Sequence, residues 1–454
     1  MRRALLLSTF LPAFLLATPA HAECEEDGSA IVCTGTDTDG FETDADGAIL
    51  SVVPAATVSA EEDAVVLEGM DSRVENQGLI EAGEDGVVLG AGGTLVNDGT
   101  ITAADDAVDG DELDDITVVN FGAIEGGDGD GNRGVVLGTG NRGTLENYGS
   151  ITAYDEVFEA GDDALVTNEE GALIASGGED GVQVQLNGDI ANYGTIYGGL
   201  INGDGIDIDS GTIFNAQSGL IESRARGLTA TEDGAEAGID VDEGEGSVEI
   251  VNDGTIRGEI GILEDRGNTG GHVVSNAGLI AGTGGIGIDF DRGDDIVDLL
   301  SGGTIEGDVL LGEGSDMFAI EGGAVMDGSV SLGAGDDDVY LDGLFGAFVG
   351  GTESTLFDGG EGEDLIGFDL ATTLGDIVGI AMSEAFADAT ELTFRNTDGS
   401  TSIIVFTGFE LFDIEGELYS LNELAEAIPL PGALPLFASA LGLGGLLRRR
   451  ARRS

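Results

Sequence analysis

The sequence predicts an all-β protein: a parallel β-helix of about 22 residues per coil, with caps at both ends and a C-terminal transmembrane helix. Three observations predict it. A unit of Asn, any residue, Gly, a small residue and Ile recurs through the middle of the chain. Roughly ten residues after each Asn comes a second short run rich in β-branched residues, the mark of a strand rather than a helix. Glycine supplies 80 of 454 residues, far above the usual ~7%, as many repeated tight turns require.

Taken from the N-terminus, the chain opens with Met1-Arg2-Arg3, an apolar run from Ala4 to Ala17, then Thr18-Pro19-Ala20-His21-Ala22. A basic start, a short apolar stretch and a small-residue A-x-A site predict a secretory signal peptide over 1–22, cut between Ala22 and Glu23. The apolar run falls short of the ~20 residues that span a bilayer. Residues 23–59 read as an N-terminal cap. They hold Cys24 and Cys33, the only cysteines. In an oxidising compartment these are expected to form a disulfide across a short loop, worth roughly 2–3 kcal/mol.

Residues 60–345 carry the repeat. Its copies are Asn76–Ile80, Asn97–Ile101, Asn120–Ile124, Asn147–Ile151, Asn192–Ile196, Asn252–Ile256 and Asn276–Ile280, with looser copies at Asn168 and Asn215. A spacing of 37 after Asn215, where the others run from 21 to 27, predicts an insertion around Ala225–Glu245. The second runs include Gly86–Leu89, Gly134–Leu137, Gly181–Val184, Gly205–Ile208, Gly238–Val241 and Gly285–Ile288. One period thus holds two or three short strands, and only stacked coils can share a continuous Ile/Val core. Asparagine suits the corner because it tolerates left-handed backbone and bonds its own local chain. Stacked, these asparagines are expected to form an amide ladder. Some 285 residues give about thirteen coils, a rod about 60 Å long at ~4.8 Å per strand spacing. A β-propeller is the alternative architecture, but blades of about 40 residues with an aromatic signature are absent from the sequence.

After Ile288 the punctuation changes to acidic glycine turns: Asp291–Val297, Gly312–Phe318, Gly333–Val339 and Gly360–Ile366. They resemble the G-x-G-x-D core of calcium-binding RTX repeats. The resemblance implies Ca²⁺ held by Asp295, Asp316, Asp337 and Asp364, with turn carbonyls at Gly312, Gly314, Gly333 and Gly335, an all-oxygen donor set suited to a hard cation. RTX repeats run every nine residues, whereas these Asp lie 21, 21 and 27 apart, one per coil. The plainer reading is a set of solvated turns. The Asn repeat itself is similar to autotransporter passenger regions, although too few residues follow it to build a translocating barrel.

Residues 346–420 read as a C-terminal β cap, with antiparallel strands around Asp398-Gly399, and 421–427 as a linker, with Leu418–Ala427 open to forming a short acidic helix instead. The tail, 428–454, has twenty uncharged residues from Ile428 to Leu447, then Arg448, Arg449, Arg450, Arg452 and Arg453. As a helix that run is about 30 Å long, one bilayer core, and the arginines favour the cytoplasmic side. The motif Ile428-Pro429-Leu430-Pro431-Gly432-Ala433 with its helix and Arg cluster resembles the VPLPA variant of PEP-CTERM sorting signals, with Ile at the first position and Gly at the fifth as departures. The resemblance implies an exosortase-like processing protease as partner, a Gram-negative host and an exopolysaccharide or biofilm setting.

The exported body carries nine arginines, no lysine and 88 acidic residues, a formal charge of −79. Nucleic acid is excluded as a partner, because it demands a basic footprint. Catalysis is not expected. One mature histidine, His272, gives no nucleophile–His–acid set, tryptophan is absent, and clusters such as Asp162-Asp163 follow from acid content alone. The expectation is an exported structural or adhesive surface rod. The alternatives are a polysaccharide-processing β-helix enzyme, which a deep side groove of converging Asp and Arg would favour, and a calcium-dependent binding module.

Overall fold

The computed structural model describes residues 24–428 apart from 111–112, 130, 139–141, 202, 226–235, 243, 245, 343–354, 369–371 and 396–400. The chain is a parallel β-solenoid of about thirteen coils. A typical coil runs Arg73–Asn76, Leu79–Ala82 and Val87–Leu89 before Thr94–Asn97 starts the next one. The first strand of each coil joins an eighteen-stranded sheet, and the other two join a sheet of twenty-seven.

Local chemistry explains each turn of the coil. The repeat isoleucine points inward on the second strand. Ile80, Ile101, Ile124, Ile151, Ile174, Ile196, Ile221, Ile256, Ile280 and Ile305 are fully buried and stacked in register. Flanking residues alternate outward, as the period of two demands. The glycine two residues after each Asn has a packing reason: a Cβ on Gly122 would lie 2.0 Å from the Gly99 carbonyl oxygen of the coil before.

The asparagines form the ladder that the repeat predicts. Asn76 Nδ2 donates to Asn97 Oδ1 at 2.8 Å, and the chain of bonds continues through Asn120, Asn147, Asn168, Asn192, Asn215, Asn252 and Asn276 at 2.7–2.9 Å. All nine side chains are fully buried. Most also accept the glycine N–H two residues on, as Asn147 does from Gly149 at 3.2 Å, and donate to a carbonyl of the following coil. The two looser copies, Asn168 and Asn215, take full part.

Three boundaries differ from those expected. The described part of the expected N-terminal cap, 24–59, is coil: Ala30–Cys33 pairs in parallel with Ile49–Val52, and that strand with Arg73–Asn76. Only Cys24–Asp27 runs antiparallel, against Ala30–Cys33, and the Cys24–Cys33 disulfide closes that hairpin. The first coils escape the repeat because Cys33 and Val52 occupy the Asn column. Parallel stacking likewise continues through the expected C-terminal cap to Leu411–Ile414, with Leu299, Ile320, Leu341 and Phe368 in that column. An antiparallel meander, Ile377–Met382, Thr390–Arg395 and Thr401–Thr407, is inserted there, and Glu417–Ser420 ends the first sheet antiparallel. The expected turn at Asp398-Gly399 lies outside the described residues.

The insertion is narrower than Ala225–Glu245, because Ala237–Val241 is an ordinary third strand paired with Ile206–Ile208. Of the two expectations for the segment before the tail, the short helix is the one found, at Leu421–Ala427. Ser420 and Glu423 form its capping box, and Leu424 is buried. Ile428, expected to open the membrane span, is 2% exposed at the end of that helix. Among the described residues no helix is long and apolar enough to cross a membrane, and the rest of the expected span lies outside them.

Asn147→Ala removes a buried donor and acceptor from mid-ladder and leaves the amides of Asn120 and Asn168 short of partners. A loss of about 2–3 kcal/mol is expected. It should register as lost amide-exchange protection in the neighbouring coils first, since solenoid stability is a nearest-neighbour sum. Unchanged protection there would contradict the ladder's stabilising role.

Candidate functional site

The four aspartates expected to bind metal stand in one column. Each precedes the first strand of its coil, and the strands stack in register. Asp295 Oδ1 accepts the His272 N–H at 2.7 Å, Asp316 Oδ1 accepts that of Asp295 at 2.9 Å, and Asp337 Oδ1 that of Asp316 at 2.8 Å. Asp364 Oδ1 accepts the Asp337 N–H at 3.1 Å, and Glu410 Oε2 that of Asp364 at 3.2 Å. The column continues backwards through His272, whose Nδ1 accepts the Val248 N–H. It starts where the Asn ladder stops, so one kind of side-chain ladder succeeds the other along the same sheet.

The aspartates are 0–2% exposed. The second oxygen of each, Oδ2, is buried and has no hydrogen-bond partner. Burial therefore pushes Asp295 and Asp364 up to about 7 and Asp316 up to about 8, against the lowering effect of the N–H bonds each accepts. Asp337 is raised for the same reason. A buried carboxylate without a cationic partner must be neutralised by a proton or a cation.

The glycines of these turns are explained by stacking. Gly312 and Gly333 have φ of +86° and +105°. A Cβ on Gly314 or Gly335 would fall 1.6 or 1.4 Å from the carbonyl oxygen of the turn before. The Gly312 and Gly333 carbonyls accept the N–H groups of Ala334 and Glu361, at 2.8 and 2.9 Å. The structure thus brings the four Asp together and gives the glycines a close-approach role of their own.

Sequence reasoning missed a second acidic column, at the turn before the third strand of each coil. Its members are Asp63, Asp85, Asp106, Glu156, Asp180 and Asp204, with Arg133 interrupting and Ala237, one residue after Glu236, next in register. Asp85 N–H donates to Asp63 Oδ1 at 3.0 Å, Asp106 N–H to Asp85 Oδ1 at 3.1 Å, Arg133 N–H to Asp106 Oδ1 at 2.7 Å and Asp204 N–H to Asp180 Oδ1 at 2.7 Å. Burial lifts Asp85 and Glu236 to about 7 and Asp180 to about 8, and raises Asp204 well above the usual range. The readable clue was the acidic residue just ahead of Gly86, Ala107, Gly181 and Gly205. On the third strands, Asp207 and Asp240 stack in register beside Gln183, which donates to Asp207 Oδ2 at 3.0 Å.

Arg133 is the point where a cation enters this face, and it is bridged to Asp106 and Glu159. A nearby recess of about 620 Å³, lined by Thr102, Ala104, Glu125, Asp128 and Asn132 among others, holds two carboxylates and no basic group. Ala22, Glu23, Pro429, Leu430, Pro431, Arg448, Arg449 and Arg450 lie outside the described residues. No family model, curated protein or solved structure matches the chain.

Raised carboxyl pKa values have a definite consequence for stability. The folded state holds protons that the unfolded state, titrating near 4, has already released, so metal-free stability is present below about pH 4 and is lost as pH rises from about 4 through 8. Asp316→Asn keeps the Oδ1 acceptor and removes the charge. It should raise the melting temperature at pH 8 by a few degrees and leave it nearly unchanged at about pH 4. A melting temperature that falls equally at both pH values would show that the carboxylate is needed for another reason.

Proposed function

We propose that this chain is an exported structural or adhesive rod of a bacterial surface or extracellular matrix, held through its C-terminal segment during export. The observation that carries the reading is the combination of an unbroken parallel stack, from Ala30–Cys33 to Leu411–Ile414, with an exported body carrying a formal charge of −79. A long, repetitive scaffold with dense like charge stays soluble, resists self-association and presents extended surface. The Cys24–Cys33 disulfide supports an oxidising destination.

Catalysis is not part of this reading. The groups that stack in the described coils are carboxylates engaged with backbone N–H groups, and Arg133 is spent in ion pairs with Asp106 and Glu159. A polysaccharide-processing enzyme would need those groups open to a groove. The more supported second reading is stabilisation by Ca²⁺, carried by the partnerless Oδ2 atoms of Asp295, Asp316, Asp337 and Asp364.

Mass spectrometry of the protein recovered from the cell surface or culture fluid tests the sorting reading. The expected C-terminus lies near Pro429, with Arg448–Arg450 removed, and the expected N-terminus is Glu23. An intact arginine tail makes the chain a plain membrane anchor and defeats the sorting proposal. Calorimetric titration with Ca²⁺ is expected to give saturable heat that falls in Asp316→Asn/Asp337→Asn. Equal heat in the double variant removes calcium from this column.

A further inference from the structure

The second acidic column contains a place where carboxylates converge instead of merely stacking. Asp155 and Glu156 sit in the turn between Ser150–Ala153 and Phe158–Ala160. Glu179 sits in the equivalent turn of the next coil, between Leu173–Ser176 and Val182–Val184. One side-chain oxygen from each of the three lies within 4.8 Å of the other two.

The turns are rigidly set. Asp155 N–H donates to the Asn132 carbonyl at 3.1 Å, and Gly178 N–H to the Tyr154 carbonyl at 2.6 Å. Ser176 Oγ donates to the carbonyls of Tyr154 and Asp155 at 3.0 and 2.9 Å. A Cβ on Gly178 would lie 2.9 Å from the Tyr154 carbonyl oxygen, so glycine permits the close approach. Asp155 is 7% exposed. Its Oδ2 accepts the Gly131 N–H at 2.8 Å, whereas its buried Oδ1 has no partner.

Among the described residues, no arginine is paired with the three. The strongest charges acting on Glu179 are Asp155 and Glu156. Arg133 is paired with Asp106 and Glu159, and Arg224 is turned to the carbonyls of Gly198 and Ser176 and to the Tyr197 ring. Three carboxylates with no nitrogen or sulfur donor select a hard cation. Oxygens on opposite sides of Ca²⁺, at roughly 2.4 Å each, stand about 4.8 Å apart, so carboxylates within that distance of one another can share such an ion. The half-buried Glu156 and Glu179 leave room for the water that a six- to eight-coordinate shell takes up.

We propose that Asp155, Glu156 and Glu179 form a Ca²⁺ site that clamps two successive coils, separate from the Asp295–Asp364 column. The site stands independently of any calcium in that column, because it is built from another turn and other coils.

Two measurements on the full exported body test it. In calorimetric titration with CaCl₂ at about 0.15 M salt, which screens diffuse binding to surface acids, Glu156→Gln/Glu179→Gln should bind one Ca²⁺ fewer than the parent. Asp316→Asn/Asp337→Asn should keep that ion. Terbium provides the local readout, since Tyr154 precedes Asp155 and no tryptophan competes for excitation. Tyrosine-excited emission should be displaced by Ca²⁺, fall at least twofold in Tyr154→Phe with stoichiometry intact, and be lost in step with the site in Glu179→Gln. The single Glu179→Gln variant serves if the double one does not fold. Unchanged stoichiometry and affinity in the glutamine variants overturns the proposal. So does a higher metal-free melting temperature in them without loss of a bound ion, which would show that the carboxylates share a proton.

Discussion

The constraint on which the rest of the molecule depends is the return of one buried asparagine to the same corner in coil after coil. Nine amides bonded in series through Asn76 and Asn276 fix which residue of each coil lies over which. A slip of one residue would turn every repeat isoleucine outward and orphan a donor and an acceptor at each step. Coil length, by contrast, is free. Steps of 21 to 37 residues are all spanned by the same 2.7–2.9 Å bond, so length variation is pushed into turns and never reaches the core.

Charge follows the same geometry with the opposite consequence. Amides can stack because each both donates and accepts, whereas carboxylates can only accept. The Asp295–Asp364 column resolves half of this conflict by accepting backbone N–H groups from the coil before, and leaves one oxygen of each aspartate without a partner. The earlier column resolves it in the reverse sense, with side chains that accept from the coil after. In both, like charges are held one coil apart in poorly solvated turns, so the occupancy of these columns by protons or cations sets the rod's stability.

The repeating part of the fold was legible because its chemistry is local: Asn, Gly and Ile within five residues specify corner, close approach and core. The Asp295 column was legible for the same reason, carried by its paired glycines. What escaped was whatever the coils share only by stacking. Cys33, Val52 and Phe368 occupy the Asn column without resembling it, so the coils at both ends were read as caps. Asp63, Arg133, Glu156 and Ala237 share a turn position without sharing a residue type. The convergence of Glu179 on Asp155 depends on coil spacing, which composition does not encode.

The two ends of the Asn face deserve comparison with its middle. From Ile49–Val52 to Leu365–Phe368 each strand of this sheet meets neighbours that run its own way, yet the outermost of the described strands, Cys24–Asp27 and Glu417–Ser420, run the other way. Both carry exposed acids: Glu25, Glu26 and Asp27 at one end and Glu417 at the other. A second rod arriving in parallel register would meet a reversed, negatively charged edge in place of the template that an open parallel sheet offers. On this face the described end strands therefore offer no parallel edge for the stack to continue on.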